Sequence, residues 1–250
     1  MPEITSDETW DEMFDEIYLT TYADNLGERD SGTEAEAAVR LAGAEPPARI
    51  LDAPTGFGRH ALPLAKLGFH VTGIDRSEIQ LAEARRLAGE VEWPKWVQAD
   101  SRDLPFEDEA FDAALCLFTS IGYRGEEGDR RAFGEFLRVL RPGSALVVET
   151  LHRDRLMAIF QERSWDPLQN DAVLLEERRF DTVAGEIETE HTFLAVGERR
   201  SLTFRLRIYT ATELVKLLTE VGFAEIDCFG DYEGGPLSRE TRLVVRAKKP

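Results

Sequence analysis

Residues 50–61, Ile-Leu-Asp-Ala-Pro-Thr-Gly-Phe-Gly-Arg-His-Ala, constrain this chain more than any other stretch. A short apolar run ends in the acid Asp52, a tight Gly56-Phe57-Gly58 turn follows, and a helix begins near His60. Parallel α/β proteins build a nucleotide-like cofactor site in this way, at the carboxyl end of the first strand. Which cofactor it holds must be decided by the rest of the chain.

Ahead of that stretch, Trp10, Met13, Phe14 and Ile17 recur at helical spacing, with Tyr18, Leu19, Tyr22 and Leu26 beyond, and predict an amphipathic helix within residues 7–27. A second short helix over about 33–43 ends at Gly43 and Pro46-Pro47. Residues 1–46 thus read as a helical cover added to the sheet and able to lie over the cofactor site. Residues 49–52 read as the first strand, and 60–67 as a helix stopped by Gly68. A second strand over 69–74 ends in Asp75. Ser77-Glu78-Ile79-Gln80 is a capping box, Ser77 the N-cap and Gln80 reaching back, opening a helix to about Ala88. A third strand over 96–99 ends in Asp100, and a fourth over 111–118 is nearly all apolar, as a strand buried on both faces should be. A helix over 126–140 stops at Arg141-Pro142-Gly143 before a fifth strand over 145–150.

Strand and helix alternating at this pace predict an α/β fold with a doubly wound, mostly parallel sheet, which residues 223–229 and 243–247 bring to seven strands. Segments 173–180, 187–196 and 200–209 instead alternate with period two, separated by Ala184-Gly185 and Gly197-Glu198. In the last of them Leu202, Phe204, Leu206 and Ile208 share a face, as in an inserted antiparallel meander. Thr210-Ala211-Thr212-Glu213 is a second capping box, opening a helix to about Val221. Residues 1–250 read as one domain with 151–209 as an inserted lid, whose exposed edge leaves pairing into a homodimer open.

A net charge of -18, from 48 acids against 30 bases, repels phosphate backbones, so a nucleic-acid substrate is not expected. Cys116 and Cys228 lack ligand spacing, which supports neither a disulfide framework nor a zinc cluster and makes a reduced cytosol the default. No apolar segment approaches the ~20 residues of a membrane span, and the acidic N-terminus is unlike a secretory signal. The expectation is a cytoplasmic protein with no membrane partner and no metal.

Asp52, Asp75 and Asp100 close three successive parallel strands, where an open α/β sheet has its ligand crevice. Gly56-Phe57-Gly58-Arg59-His60-Ala61 also fits the dinucleotide fingerprint G-x-G-x-x-G/A, with Asp75 placed as a ribose acid, so an NAD-dependent oxidoreductase is the rival reading. Against it stands Asp52, whose charge just ahead of the glycines would repel a pyrophosphate and favour a cationic ammonium and sulfonium. No second mononucleotide-binding half follows. S-adenosylmethionine (SAM) is therefore the expected cofactor.

Leu51-Asp52-x-Pro54-x-Gly56-x-Gly58-Arg59-His60-Ala61 followed by Val71-Thr72-Gly73-Ile74-Asp75-x-Ser77 resembles the class I SAM-dependent methyltransferases. So do Asp100-x-Arg102-Asp103-Leu104-Pro105-Phe106, Phe111-Asp112-Ala113 and Leu137-x-x-x-Leu140-Arg141-Pro142-Gly143. Within that superfamily the chain is similar to a bacterial small-molecule branch, through Phe118-Thr119-Ser120-Ile121-Gly122-Tyr123 and the meander after the fifth strand. Pro54 stands where the superfamily usually has glycine, and Thr55 replaces a frequent small residue, a change expected to matter little.

The resemblance implies a Rossmann-like methyltransferase fold and a set of cofactor contacts. Ala53, Pro54, Gly56 and Gly58 would pass under the cofactor while Asp52 influences its ammonium side. Asp75 would accept from the ribose hydroxyls and Asp100 from the adenine amino group, with the Ser101 N–H at a ring nitrogen. Leu117 and Phe118 would border the methionine moiety, and Arg76 would either stack on adenine or be solvated. For proton transfer the candidates are Tyr22, Tyr123, His152 and Tyr209. His70 and His191 are excluded by position, and His60 is expected to pack or cap locally. Arg153, Arg155, Arg205 and Arg207 could bind a substrate carboxylate, although solvated arginines are commoner. The expected substrate is a small molecule or peptide amine, methylated on nitrogen slightly ahead of oxygen. A non-catalytic SAM-binding module is the other alternative.

Overall fold

A computed structural model describes residues 31–168, 172–195 and 197–250. The helix expected within residues 7–27, and Tyr22 with it, lies outside the described residues. The main sheet has seven strands, β1 (Arg49–Asp52), β2 (His70–Asp75), β3 (Lys95–Gln98), β4 (Phe111–Cys116), β5 (Leu140–Thr150), β10 (Ala224–Phe229) and β11 (Leu243–Lys248). Their order is β10-β11-β5-β4-β1-β2-β3. Only the β11 pairings are antiparallel. A second sheet, all antiparallel, orders β6 (Arg163–Pro167), β7 (Val173–Asp181), β8 (Glu186–Ala195) and β9 (Glu198–Arg207). No helix among the described residues is long and apolar enough to cross a membrane.

Period-two alternation in the buried strands feeds two apolar layers at once. Leu51, Ala114, Cys116, Leu146, Val148 and Val245 enter one cluster, with Phe133 and Phe136 of α4 (Gly125–Val139) and Leu214, Leu217 and Leu218 of α6 (Ala211–Val221). Their neighbours Ile50, Ala113, Leu115, Val147 and Val244 enter the opposite cluster, with Leu64 of α2 (Ala61–Lys66) and Ala35, Ala37 and Ala38 of α1 (Ser31–Ala42). The described part of the N-terminal region is therefore one layer of the sandwich rather than an addition to it. The Thr210–Glu213 capping box is complete. At α3 (Glu78–Ala88) the Ser77 side chain accepts from the Gln80 N–H as expected.

Beyond shifts of one or two residues at element ends, the start of β5 and the presence of β6 differ from the sequence reading. β5 begins at Leu140, directly at the end of α4, so Arg141-Pro142-Gly143 stops the helix and already belongs to the strand. A register shift against β4 between Phe111 and Ala113 accommodates this start. β6 was not foreseen: Arg-Ser-Trp-Asp-Pro carries no apolar alternation, and the segment is extended only because β7 offers it a ladder from Arg163↔Glu177 to Pro167↔Val173.

The second sheet docks over the carboxyl ends of the first at one backbone contact. Arg207 N–H donates to the Gly122 carbonyl at 2.9 Å. A Cβ on Gly122, at φ +95°, would lie 2.3 Å from the Arg207 carbonyl oxygen. Asp129 of α4 fixes the same corner, accepting from Gly122 N–H at 3.0 Å and from the Tyr209 hydroxyl at 2.6 Å. A short helix, α5 (Arg153–Ala158), brings Leu156 against Ile187, Leu206 and Ile208 of the second sheet and its exit.

Gly58 is required by packing. At φ +82° its absent Cβ would lie 2.5 Å from the Trp96 ring. Gly58→Ala is expected to cost about 1–3 kcal/mol through strain and overpacking. Gly134→Ala, within α4 and with nothing near its Cβ position, should be neutral or stabilising by up to about 1 kcal/mol. Urea unfolding of the two variants checks the contrast.

Candidate functional site

Between the two sheets lies a cavity of about 980 Å³. Its floor is the loop after β1, the end of β2 and the segment after β4, and its far wall is one face of the second sheet. Among the described residues, no group of three or more His, Cys, Asp or Glu side chains is arranged to hold a metal ion.

Of the residues singled out from sequence, Pro54, Gly56, Asp75, Leu117, Phe118, Tyr123 and His152 line this cavity. Asp75, 6% exposed at the end of β2, ties two loops with its two oxygens. Oδ2 accepts from Gly56 N–H and Oδ1 from Ser77 N–H, both at 2.9 Å. Burial pushes its carboxyl above the usual range, against those hydrogen bonds. Gly56, at φ +55°, turns the chain under the cavity.

Asp52, Ala53, Gly58, Arg76, Asp100 and Ser101 are not on the lining. Asp52 is 1% exposed and lies beneath the loop, accepting from Thr55 Oγ1 at 2.6 Å. Burial pushes it up to about 7, opposed by the Thr55 hydroxyl and the Arg59 charge. Its influence on a ligand thus passes through Thr55 and the local field, not by contact as the sequence argument assumed. Thr55 correspondingly matters more than expected: it holds Asp52 and donates its N–H to Ile74 at 2.7 Å. Ala53 is buried and donates to the Leu115 carbonyl. Asp100 accepts from the Arg102 backbone N–H and guanidinium at 2.6–2.9 Å and from Arg76 at 3.3 Å. Burial alone would raise its carboxyl, but Arg102 and Arg76 hold it below its usual range. Arg76 is therefore engaged with Asp100 rather than simply solvated.

Phe118 and Thr119 have left-handed backbone, φ +60° and +54°, unusual for non-glycine residues. Glu149, near the end of β5, stabilises this kink: Oε2 accepts from Phe118 N–H at 2.8 Å and its carbonyl from Thr119 N–H at 3.0 Å. The Arg59 guanidinium stacks 4.5 Å above the Phe118 ring and pairs with Glu34 at 2.9 Å. Glu149 and Arg59 were missed by the sequence reading. The signal for Glu149 was available, since it is another acid at the end of a parallel strand.

The candidate bases separate by environment. The Tyr209 hydroxyl is committed to Asp129, and burial pushes its ionisation far above the ordinary value. His152 is nearly buried at the start of α5, with Nε2 3.7 Å from Asp154. Burial pushes His60 down to about 4, leaving its ring neutral. His70 stacks on Trp93 away from the cavity. Of the arginines, Arg153 and Arg207 are held by Glu213, and Arg205 pairs with Glu188. Arg155 lines the cavity.

His191, set aside in the sequence reading for lying in the meander, is on the cavity lining. Its strand presents Ile187, Thr189, His191 and Phe193 to the cavity, beside Leu174, Glu176 and Arg178 of β7 and Leu202, Phe204 and Leu206 of β9. Across the β6-β7-β8 ladder, Ser164, Glu176 and His191 stand in one row. Glu176 Oε1 is 3.0 Å from His191 Nε2, and its Oε2 accepts from Ser164 at 2.8 Å and from Arg178. Burial would raise the Glu176 carboxyl, but the His191 and Ser164 hydrogen bonds and the Arg178 charge bring it down to about 2. An ionised polar island is thus set in an otherwise largely apolar wall.

Comparison with known proteins agrees with this geometry. A family model described as a methyltransferase domain matches residues 50–143. A glycine/sarcosine N-methyltransferase of Parasynechococcus marenigrum is 31% identical over 222 residues, 84% of this chain and 76% of that protein. A demethylmenaquinone methyltransferase of Clavibacter sepedonicus is 43% identical over 101 residues, a match spanning 40% of each chain. The solved structure of a SAM-bound amino pentose methyltransferase from Micromonospora echinaspora superposes with a TM-score of 0.71 at 23% identity, covering 94% of this chain and 97% of that one.

The raised Asp52 carboxyl carries a stability prediction. The folded protein holds this proton up to about pH 7, whereas the unfolded chain releases it in the ordinary carboxylate range. The wild type therefore loses stability as pH rises from about 4 through about 7. Asp52→Asn keeps an acceptor for Thr55 without the charge. Its melting temperature relative to wild type should be higher at pH 8 than at pH 5 by at least about 3 °C, measured by scanning calorimetry.

Proposed function

The chain belongs to the class I SAM-dependent methyltransferases, and we propose that it methylates an amine nitrogen of a small molecule lying between the strand ends and the second sheet. The observation that carries this reading is the continuity of the cavity. One space joins Gly56, Asp75, Leu117 and Phe118 on the floor to Glu176, His191 and Phe204 on the wall, so cofactor and acceptor would share a single enclosure.

The residues present suit the cofactor. A carboxylate on the cavity surface at the end of β2 can accept from both ribose hydroxyls. The left-handed Gly56 turn leaves room for close approach, with only Gln80 within 4 Å of its Cβ position. Leu117, Phe118 and Pro54 offer apolar surface to the methionine part; Asp100 and Ser101 lie off this lining, with Asp100 engaged by Arg102 and Arg76, and would meet the adenine edge only where the cofactor extends past Asp75. Gly58 would contribute indirectly by letting Trp96 pack beneath the loop. When bound, SAM supplies an electrophilic methyl group on a sulfonium, open to in-line displacement. The protein's part is positioning and exclusion of water, with residues 151–209 acting as the lid. Tyr123 and His152 border the acceptor space. The nitrogen assignment draws support from the printed activity of the glycine/sarcosine N-methyltransferase.

Calorimetric titration with SAM, S-adenosylhomocysteine and NAD tests the cofactor half, with binding of the first two and none of NAD expected. Glycine, sarcosine, an aminopentose, a short peptide with a free amino terminus and demethylmenaquinone then test the acceptor half. Methylation of demethylmenaquinone alone would overturn the amine reading. Asp75→Asn should weaken SAM binding by about tenfold or more through loss of charge-assisted hydrogen bonds. Asp75→Ala should in addition lower the melting temperature, because Gly56 and Ser77 lose their shared acceptor.

A further inference from the structure

We propose that His191, oriented by Glu176, is the proton acceptor for the nucleophile, taking a proton from the ammonium form of an amine substrate at Nδ1. The inference rests on the methyltransferase reading and names the residue that prepares the acceptor.

An ionised carboxylate 3.0 Å from Nε2 selects the tautomer with the proton on that nitrogen. Nδ1 is then the ring atom with a free lone pair, on a side chain that lines the cavity and is 18% exposed. The Phe204 ring meets the imidazole edge-on at a centroid distance of 4.9 Å and restrains its plane. Phe204 also lies 6.1 Å from the Tyr123 ring, which belongs to the segment after β4, so the imidazole stands in a continuous aromatic wall leading back to the cofactor floor. The supporting carboxylate is fully used: Ser164 and Arg178 occupy the oxygen that His191 does not.

Packing does not explain such an arrangement. Half-buried charges in an apolar wall cost desolvation, and apolar residues of similar volume would serve stability as well or better. Among the described residues, the other charged and titratable groups facing this part of the cavity are Asp166 from β6, Arg178 from β7, Arg200 from β9, Arg155 from α5 and Tyr123 from the loop after β4. None of them is an imidazole. His60 titrates near 4, too low to hold a proton near neutral pH. Among the described residues, the carboxylate paired with His152 is that of Asp154, 3.7 Å from Nε2.

The step balances simply. One proton moves from the substrate ammonium to Nδ1, which frees the nitrogen lone pair that forms the new N–CH3 bond. The C–S bond breaks with its electron pair going to sulfur. The imidazolium then returns its proton to water at the cavity mouth, so one turnover releases one proton.

The chain has four histidines, so 15N-histidine NMR resolves each ring. The neutral His191 ring should carry its proton on Nε2, and its titration should move to lower pH in Glu176→Gln. With sarcosine as acceptor, His191→Asn should lower kcat at least ~100-fold and abolish the acid limb of the pH profile, while calorimetric SAM affinity stays unchanged. An Nδ1–H tautomer, a titration unmoved by Glu176→Gln, or a His191→Asn enzyme with wild-type kcat and pH profile would each overturn the proposal. The NMR readings need no acceptor and decide it even where sarcosine is not turned over. Should His191→Asn not fold, Glu176→Gln carries the kinetic test: the acid limb of its kcat profile should move to lower pH, and an acid limb left where the wild type has it would overturn the proposal. Absence of SAM binding by the wild type would instead sink the underlying methyltransferase reading.

Discussion

The enclosure depends on two backbones meeting where only a hydrogen atom fits between them. Gly122 lies so close to Arg207 that a methyl group would fall within 2.3 Å of the carbonyl oxygen, and the Arg207 N–H closes the contact by donating to the Gly122 carbonyl. Asp129 braces this junction from beneath, and burial pushes its carboxyl up to about 6 against the Gly122 and Tyr209 hydrogen bonds. Without that approach the second sheet would stand off from the strand ends, and the cavity would be an open groove. The charged groups around it follow the same logic. They are paired across elements, Arg242 of the β10–β11 connection with Glu34 of α1 and Arg207 with Glu213 of α6, so their desolvation is offset by partners fixed from different parts of the fold.

Much of the first sheet was legible because local chemistry and tertiary need coincide there. Asp52 and Asp75 end β1 and β2 as read, Asp100 follows the end of β3 by two residues in a bridge to Asp103, and Ser77 and Thr210 cap the helices they announce. The alternation of Ile50 and Leu51, or of Ala113 and Ala114, between two core layers is visible in an unbroken apolar run. What could not be read is what depends on a neighbour. β6 has the composition of a loop and becomes a strand by pairing with β7. Asp52 looks like a charge facing a ligand, but the fold places Thr55 over it.

The candidate site divides along the same line. Pro54, Gly56, Asp75, Leu117 and Phe118 could be placed on the cavity from the strand ends alone. His191 and Glu176 could not. Period two says that they share a face with Thr189, Phe193, Leu174 and Arg178, but which face turns inward is set by the docking at Gly122 and by Ile187, Leu206 and Ile208 packing on Leu156. Glu149 is the instructive miss. It carries the same strand-end signature as the aspartates, yet it stabilises a left-handed kink in the segment that follows the neighbouring strand β4.

The second sheet is hydrogen-bonded as a ladder of its own, separate from the seven strands that carry the cavity floor. Alternate residues face the enclosure along most of its strands, Leu174, Glu176 and Arg178 on β7, Ile187 to Phe193 on β8 and Arg200 to Leu206 on β9, and the residues between them are off the lining. Such a wall behaves like an exchangeable printing block. Inward letters can be reset one at a time while the ladder that aligns them, the Gly122 hinge-point and the strand-end acids stay untouched. A fold built this way separates the inheritance of its chemistry from the inheritance of its selectivity, and can change acceptors without relearning how to hold the methyl donor.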